Sequence, residues 1–126
     1  MKEFSVRLAN RPGMLAALAE TLARAEVNID ALAAFGFDDE GIVRLILEDA
    51  DRARRALAEA GLAVTEREVL TTVLEDRPGS LARMTRQLAN AGVNIDAVYL
   101  LRTNSLGMEF AVAVSDPDLA RDSLGG

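Results

Sequence analysis

Asn10-Arg11-Pro12-Gly13-Met14-Leu15, followed at helix-length distance by Val27-Asn28-Ile29-Asp30-Ala31, is written again as Asp76-Arg77-Pro78-Gly79-Ser80-Leu81 and Val93-Asn94-Ile95-Asp96-Ala97. Matching residues stand 66 positions apart, and the same spacing relates Leu8 to Leu74, Leu22 to Leu88 and Gly41 to Gly107. A fixed internal period of this length marks a tandem duplication. What repeats most faithfully is a turn that opens a helix and the approach to a strand, so the unit carries a binding corner as well as a core.

Outward from the first motif, Phe4, Val6 and Leu8 alternate with Ser5 and Arg7, the period-2 pattern of a half-buried strand. Pro12 suits the first turn of a helix, and Leu15, Leu18, Leu22 and Ala25 recur at helical spacing, which predicts an amphipathic helix from about 12 to 25. Val27 to Phe37 reads as a second strand, Asp38-Asp39-Glu40-Gly41 as a hairpin turn, and Ile42 to Leu47 as a strand too apolar for an edge. Ala53, Ala56, Leu57 and Ala60 mark a second helix that Gly61 ends, and a fourth strand begins at Leu62. In the second copy, strands are expected at Val69 to Leu74, Val93 to Thr103 and Leu106 to Val114. A helix carries Leu81, Met84, Leu88 and Ala91, a turn falls at Asn104 and Ser105, and a short helix starts near Pro117.

Strand, helix, strand, strand, helix, strand is the split βαβ order, so the expected fold class is α+β: two ferredoxin-like βαββαβ repeats, each an antiparallel sheet with helices on one face. The expected domains are 1–66 and 67–126. Gly126 falls where the repeat would place the residue before a fourth strand, so the second repeat is expected to lack that strand and to leave its first strand unpaired. Three arrangements meet this: Ala63 to Leu74 runs as one long strand serving both copies, a second chain supplies the partner, or the chain is cut short there. No Pro/Gly-rich linker separates the copies, which favours a rigid pairing.

Composition narrows the function classes. The chain has no cysteine and no histidine, which removes disulfides, thiol nucleophiles, imidazole or thiolate zinc sites and His-based catalysis. No carboxylate stands at a defensible spacing from an acid, base or nucleophile partner, so no catalytic residue and no cofactor is assigned. The net charge of −6 opposes binding to nucleic acid or anionic lipid and permits zwitterionic or cationic ligands. Topology of this kind also serves RNA recognition, but that needs aromatic residues on the sheet and a positive surface, and the chain has four Phe, one Tyr and no Trp. No apolar run approaches the roughly 18 residues of a membrane span, and Met1-Lys2-Glu3 leads into a strand, so the expected location is cytoplasmic.

The pattern Asn/Asp-Arg-Pro-Gly-x-Leu, helix, Val-Asn-Ile, strand resembles ACT domains, the small regulatory modules attached to enzymes of amino-acid metabolism. The resemblance covers nearly the whole chain, twice. It implies effector binding, usually of an amino acid, at an interface between two such domains side by side. Carried onto this sequence, the ligand-binding candidates are Asn10, Pro12, Gly13, Met14, Leu15, Asn28 and Ile29 in the first copy. In the second they are Asp76, Pro78, Gly79, Ser80, Leu81, Asn94 and Ile95. The family uses the position of Asn10 and Asp76 to accept from an α-ammonium group, and several members use that of Asn28 and Asn94 to contact ligand from the neighbouring domain.

The residues themselves support this carry-over. A helix N-terminus carries about half a positive charge and unpaired N–H groups, so Gly13-Met14 and Gly79-Ser80 suit an α-carboxylate. Bland readings stand beside it: Asn10 and Asp76 satisfy the turn or cap the helix, Arg11 and Arg77 are solvated, Pro12 and Pro78 shape the turn whatever binds. Asp30 and Asp96 fit a wet sheet face as well as a site. Asp38-Asp39-Glu40 reads as a solvated turn in preference to a metal site. The copies also differ. Asp76 in place of Asn10 adds a charge-assisted bond to a cation, on the order of 1 kcal/mol. Ser80 for Met14 and Tyr99 for Ala33 make one site roomier and more apolar, and the other smaller and more polar, if they face the pockets.

Two functions follow. The first is a non-catalytic regulatory protein that senses an amino acid, expected as a homodimer. The second is the regulatory subunit of a separate biosynthetic enzyme, of the acetolactate synthase small-subunit type, although that subunit normally carries a different C-terminal domain. An amino acid held by three or four charge-assisted bonds, each about 1.5 to 3 kcal/mol before association costs, binds in the micromolar to millimolar range.

Overall fold

A computed structural model describes residues 1–125; the sequence-based placement of Gly126 ahead of a further strand lies outside the described residues. The chain divides into two compact units, Met1–Arg67 and Glu68–Gly126. The first is built from β1 (Lys2–Ala9), α1 (Met14–Arg24), β2 (Ile29–Phe37), β3 (Glu40–Leu47), α2 (Ala50–Glu59) and β4 (Val64–Glu68). The second contains β5 (Leu70–Leu74), α3 (Ser80–Asn90), β6 (Ile95–Asn104), β7 (Gly107–Val114) and α4 (Pro117–Gly125). This is the α+β, ferredoxin-like arrangement expected from the element order.

In the first unit the sheet order is β2-β3-β1-β4, with β3 antiparallel to both β1 and β2. The apolar strand Glu40–Leu47 is thus central, as its composition demanded. Phe4 and Val6 of β1, Val43, Leu45 and Leu47 of β3, Leu18 and Leu22 of α1, and Ala53 and Leu57 of α2 form one buried cluster. Each large member contributes about 1.5–3 kcal/mol by leaving water. Asp49 caps α2 by accepting from Arg52 N at 3.1 Å. Across the surface, Arg54 of α2 forks onto Glu66 of β4, Nε to Oε2 and Nη2 to Oε1, both at 2.6 Å. The fork holds the Glu66 carboxyl below its ordinary range, chiefly by hydrogen bonding.

The second unit has three strands, ordered β5-β7-β6. Its core gathers Met84 and Leu88 of α3, Phe110, Val112 and Val114 of β7, and Ala120 of α4, with Leu124 packed against it. Truncating Leu88, which is 0% exposed, to Ala should cost about 2–5 kcal/mol.

Four expectations are corrected. Pro12 precedes the helix: α1 begins at Met14, with Gly13 as N-cap at φ 89°. The hairpin turn is shorter than four residues, because Glu40 and Gly41 already pair with Phe37 and Gly36, leaving Asp38 and Asp39 outside the ladder. Ala63 to Leu74 is not one long strand: β4 belongs to the first sheet and β5 to the second, with Val69 between them.

The fourth correction concerns register. Leu8 faces Gly41 in the first sheet, but Leu74, its counterpart, faces Met108. Likewise Ala34 faces Val43, whereas Leu100 faces Phe110. The third strands therefore correspond at 67 positions rather than 66, and Gly107 is not the structural equivalent of Gly41. A bulge between Leu100 and Arg102 takes up the additional residue.

Candidate functional site

Both motif turns end on a left-handed glycine, Gly13 at φ 89° and Gly79 at φ 95°, a conformation that costs an L side chain about 1–2 kcal/mol. Each glycine is the N-cap of its helix and no side chain caps either one, so Asn10 and Asp76 are not helix caps. Met14 N donates to Arg11 O at 3.3 Å and Ala17 N to Gly13 O at 2.9 Å, which closes the turn. A Cβ on Gly13 would meet nothing within 4 Å. The positive end of α1, with its first-turn amides lacking intrahelical acceptors, is open to an approaching anion.

Beside that helix end lies a cleft of about 140 Å³. Leu8 and Ala9 of β1, Met14 and Leu15 of α1, Ala34 and Phe35 of β2 and Val43 of β3 line it, with Gly36 and Gly41 on the strand side. Asn10 and Arg11 are the polar residues of the lining. The volume is small beside the roughly 300–1,000 Å³ of a drug-sized pocket. It suits the side chain of a metabolite, with the ligand's polar groups left at the rim.

Asn10 is anchored from the β2–β3 turn. Its Nδ2 donates to Asp38 O at 2.9 Å, and its backbone N donates to Asp39 O at 2.8 Å. One of the two Nδ2 hydrogens is thus used on a carbonyl, while Oδ1 accepts no hydrogen bond shown within the chain and is the side chain's acceptor for an ammonium group. Gly36 makes this possible, since a Cβ there would lie 2.6 Å from Asn10 Nδ2. Sequence reasoning missed Ala34, Phe35 and Gly36. A glycine interrupting a strand pattern signals close backbone approach and could have flagged Gly36.

The structure brings Asn10, Met14 and Leu15 together at the cleft, with Pro12 and Gly13 in the turn between them. It does not bring Asn28 and Ile29 to the same place within the unit. Ile29 pairs with Leu47, at the end of β3 opposite Gly41, and at about 3.3 Å per residue that is roughly 20 Å away. Asn28 Nδ2 is held by Asp30 Oδ1 at 3.1 Å, and Asn94 by Asp96 at 2.8 Å, the same local pairing in both copies. Asn28 lines a separate recess of about 520 Å³ with Glu26, Glu48, Asp49, Asp51 and Arg52, where four carboxylates against one guanidinium disfavour an α-carboxylate. Among the described residues no group of three or more His, Cys, Asp or Glu is placed to hold a metal, and no helix is long and apolar enough to cross a membrane.

In the second copy Asp76, Pro78, Gly79 and Leu81 are exposed, and so is Asn94, whereas Ile95 is partly buried. Arg77 pairs with Glu75 at 3.0 Å while remaining half-exposed. Ser80, the first residue of α3, is 4% exposed, and its Oγ has no hydrogen-bond partner. Tyr99 pairs with Ala111, so alternation turns it from the face of Phe110 and Val112 toward the other side of the sheet. Ala33 is not among the residues lining the cleft of the first copy. The Tyr99-for-Ala33 exchange therefore does not tune that corner.

Over residues 1–122 the sequence matches the family described as "ACT domain pair". No curated protein matches by sequence. Among solved structures, protein BT0572 from Bacteroides thetaiotaomicron superposes with a TM-score of 0.89 at 31% identity, covering 98% of this chain and 85% of that one. The ligand-free regulatory subunit of aspartate kinase from Thermus thermophilus has a TM-score of 0.72 at 19% identity, over 98% and 88% of the two chains. That second likeness is one of fold. The tandem turn-helix motif, the two ferredoxin-like units and the match over nearly the whole length place this chain in the ACT domain pair family.

Proposed function

We propose that the chain is a non-catalytic regulatory protein that binds a free amino acid, with its site at the β1–α1 corner of the first unit and completed by a neighbouring ACT domain. The observation that carries this reading is the coincidence, at one cleft, of three complementary features. The open positive end of α1 receives the carboxylate, Oδ1 of Asn10 receives the ammonium, and the mostly apolar hollow receives the side chain. Thermal-shift measurements against the twenty amino acids test it. Ligand at 100 times its Kd adds about 2.7 kcal/mol to stability, so a selective shift that Asn10→Ala removes supports the reading, and no shift with any amino acid refutes it.

A homodimer supplies the neighbouring domain. Support comes from β2, at the edge of its sheet, where Phe35 is 50% and Phe37 66% exposed, a surface that a second domain would take out of water. Light scattering that returns only the 13.5 kDa monomer would refute this.

The fold shared with an aspartate kinase regulatory subunit favours a second reading, in which the chain regulates a separate enzyme of amino-acid biosynthesis. Co-purification of such an enzyme with the tagged chain, reversed by the amino acid that shifts its melting, is the test.

A further inference from the structure

The two copies do not hold the same corner. Opposite Leu8 in the first sheet stands Gly41, and opposite Leu74 in the second stands Met108. Val43, flanked by Val6 and Ala34, is replaced by Phe110, flanked by Thr72 and Leu100. On the helix side the exchange runs the other way, Met14 to Ser80. The first corner thus has a large residue above and a hydrogen atom below, and keeps a cleft of about 140 Å³. In the second, the strands supply the bulk: Phe110 belongs to the buried core, Met108 packs against it, and the small Ser80 is buried to 4% exposure. The opposite face of the sheet changes as well, since the Phe35–Ile42 pair becomes Arg102–Glu109, joined by an ion pair of 3.1 Å.

We infer that the two copies have divided their work: the first takes the effector, an amino acid with an aliphatic side chain, and the second has filled its own corner and serves as scaffold. This rests on the amino-acid reading above. The class follows from how the lining is divided: its two polar residues, Asn10 and Arg11, belong to the turn that receives the ligand's ammonium and carboxylate groups, and the rest of the lining, Met14, Leu15, Ala34 and Val43 among it, is apolar, so a polar side chain buried there is left unsatisfied. Size points the same way, because the hollow is under half the volume at which ordinary ligand pockets begin, roughly 300 Å³.

The test is titration calorimetry of the full chain with L-valine, L-leucine, L-isoleucine, L-methionine, L-phenylalanine, L-aspartate and L-lysine. The variants are Ala34→Leu and Gly41→Met, which give the first corner the side chains of the second, and Leu100→Ala in the second corner. Ala34 is exposed, so its variant folds even where Gly41→Met does not. The expected result is one aliphatic ligand per chain, bound about tenfold or more weakly after Ala34→Leu and unchanged after Leu100→Ala. Two ligands per chain, unaltered binding in Ala34→Leu, or preference for a charged or aromatic amino acid overturns this inference and leaves the amino-acid reading standing. Heat with none of the seven, together with no thermal shift from any of the twenty, removes both.

Discussion

The side chain of Asn10 lies flat against Gly36, so close that a Cβ on the glycine would stand 2.6 Å from Nδ2 and 2.8 Å from Oδ1. With Nδ2 donating to Asp38 O, this contact locks the end of β1 to the β2–β3 turn and fixes the pose of the Asn10 amide at the cleft. A strand glycine thereby decides the pose of a residue twenty-six positions earlier in the chain.

Gly36→Ala should force Asn10 aside and break its bond to Asp38. One exposed hydrogen bond is at stake, so stability should fall by about 0.5–1.5 kcal/mol, while ligand affinity falls as far as in Asn10→Ala. Urea midpoints for the two single variants and the double variant check the coupling. If the alanine costs as much without the Asn10 side chain as with it, the contact has no energetic weight.

Gly13→Ala and Gly79→Ala should each lose about 1–2 kcal/mol. Neither Cβ would meet an atom within 4 Å, so the cost is conformational and should be similar at the two sites. Asn, which tolerates the left-handed region, should recover part of it. A far larger loss at one site, measured by chemical denaturation, would mean that the added Cβ there meets a neighbour and the cost is not conformational alone.

The fold was legible because its signals are local and repeat: Phe4, Val6 and Leu8 alternate, Leu18 and Leu22 recur on a helix, and the Pro-Gly turn appears twice. The cleft was legible in part, at Asn10, Met14 and Leu15, since the turn motif carries them. Its far wall was not, because Ala34, Phe35 and Gly36 reach the corner only through sheet register. The same limit hid the difference between the copies. Gly41 and Gly107 match in sequence, and only the bulge between Leu100 and Arg102 shows that Met108 takes the place of Gly41.

Acid should destabilise the first unit through the Arg54–Glu66 fork. The folded pKa of Glu66 lies below its ordinary value of about 4.3, so the stabilisation is fully present above that pH and is lost as pH falls through the folded value. Glu66→Gln should be less stable than the parent at pH 7 and should converge with it as pH drops below about 4. Parallel curves of stability against pH for the two proteins would exclude the fork as the cause.

Ser80 separates the two corners most directly. Its hydroxyl is buried without a partner, and an unsatisfied buried polar group costs about 1–3 kcal/mol. Ser80→Ala should therefore stabilise the chain, on the order of 1 kcal/mol, and leave ligand affinity unchanged. Ser80→Met restores the residue of the first copy at a place where Met108 and Phe110 already fill the strand side, and such overpacking costs about 1–3 kcal/mol. Adding Phe110→Val, the first copy's Val43, should recover part of that loss, because one bulky side chain then replaces another. Should Ser80→Met be tolerated without penalty, the second corner holds empty space after all, and the division of work between the copies loses its structural basis.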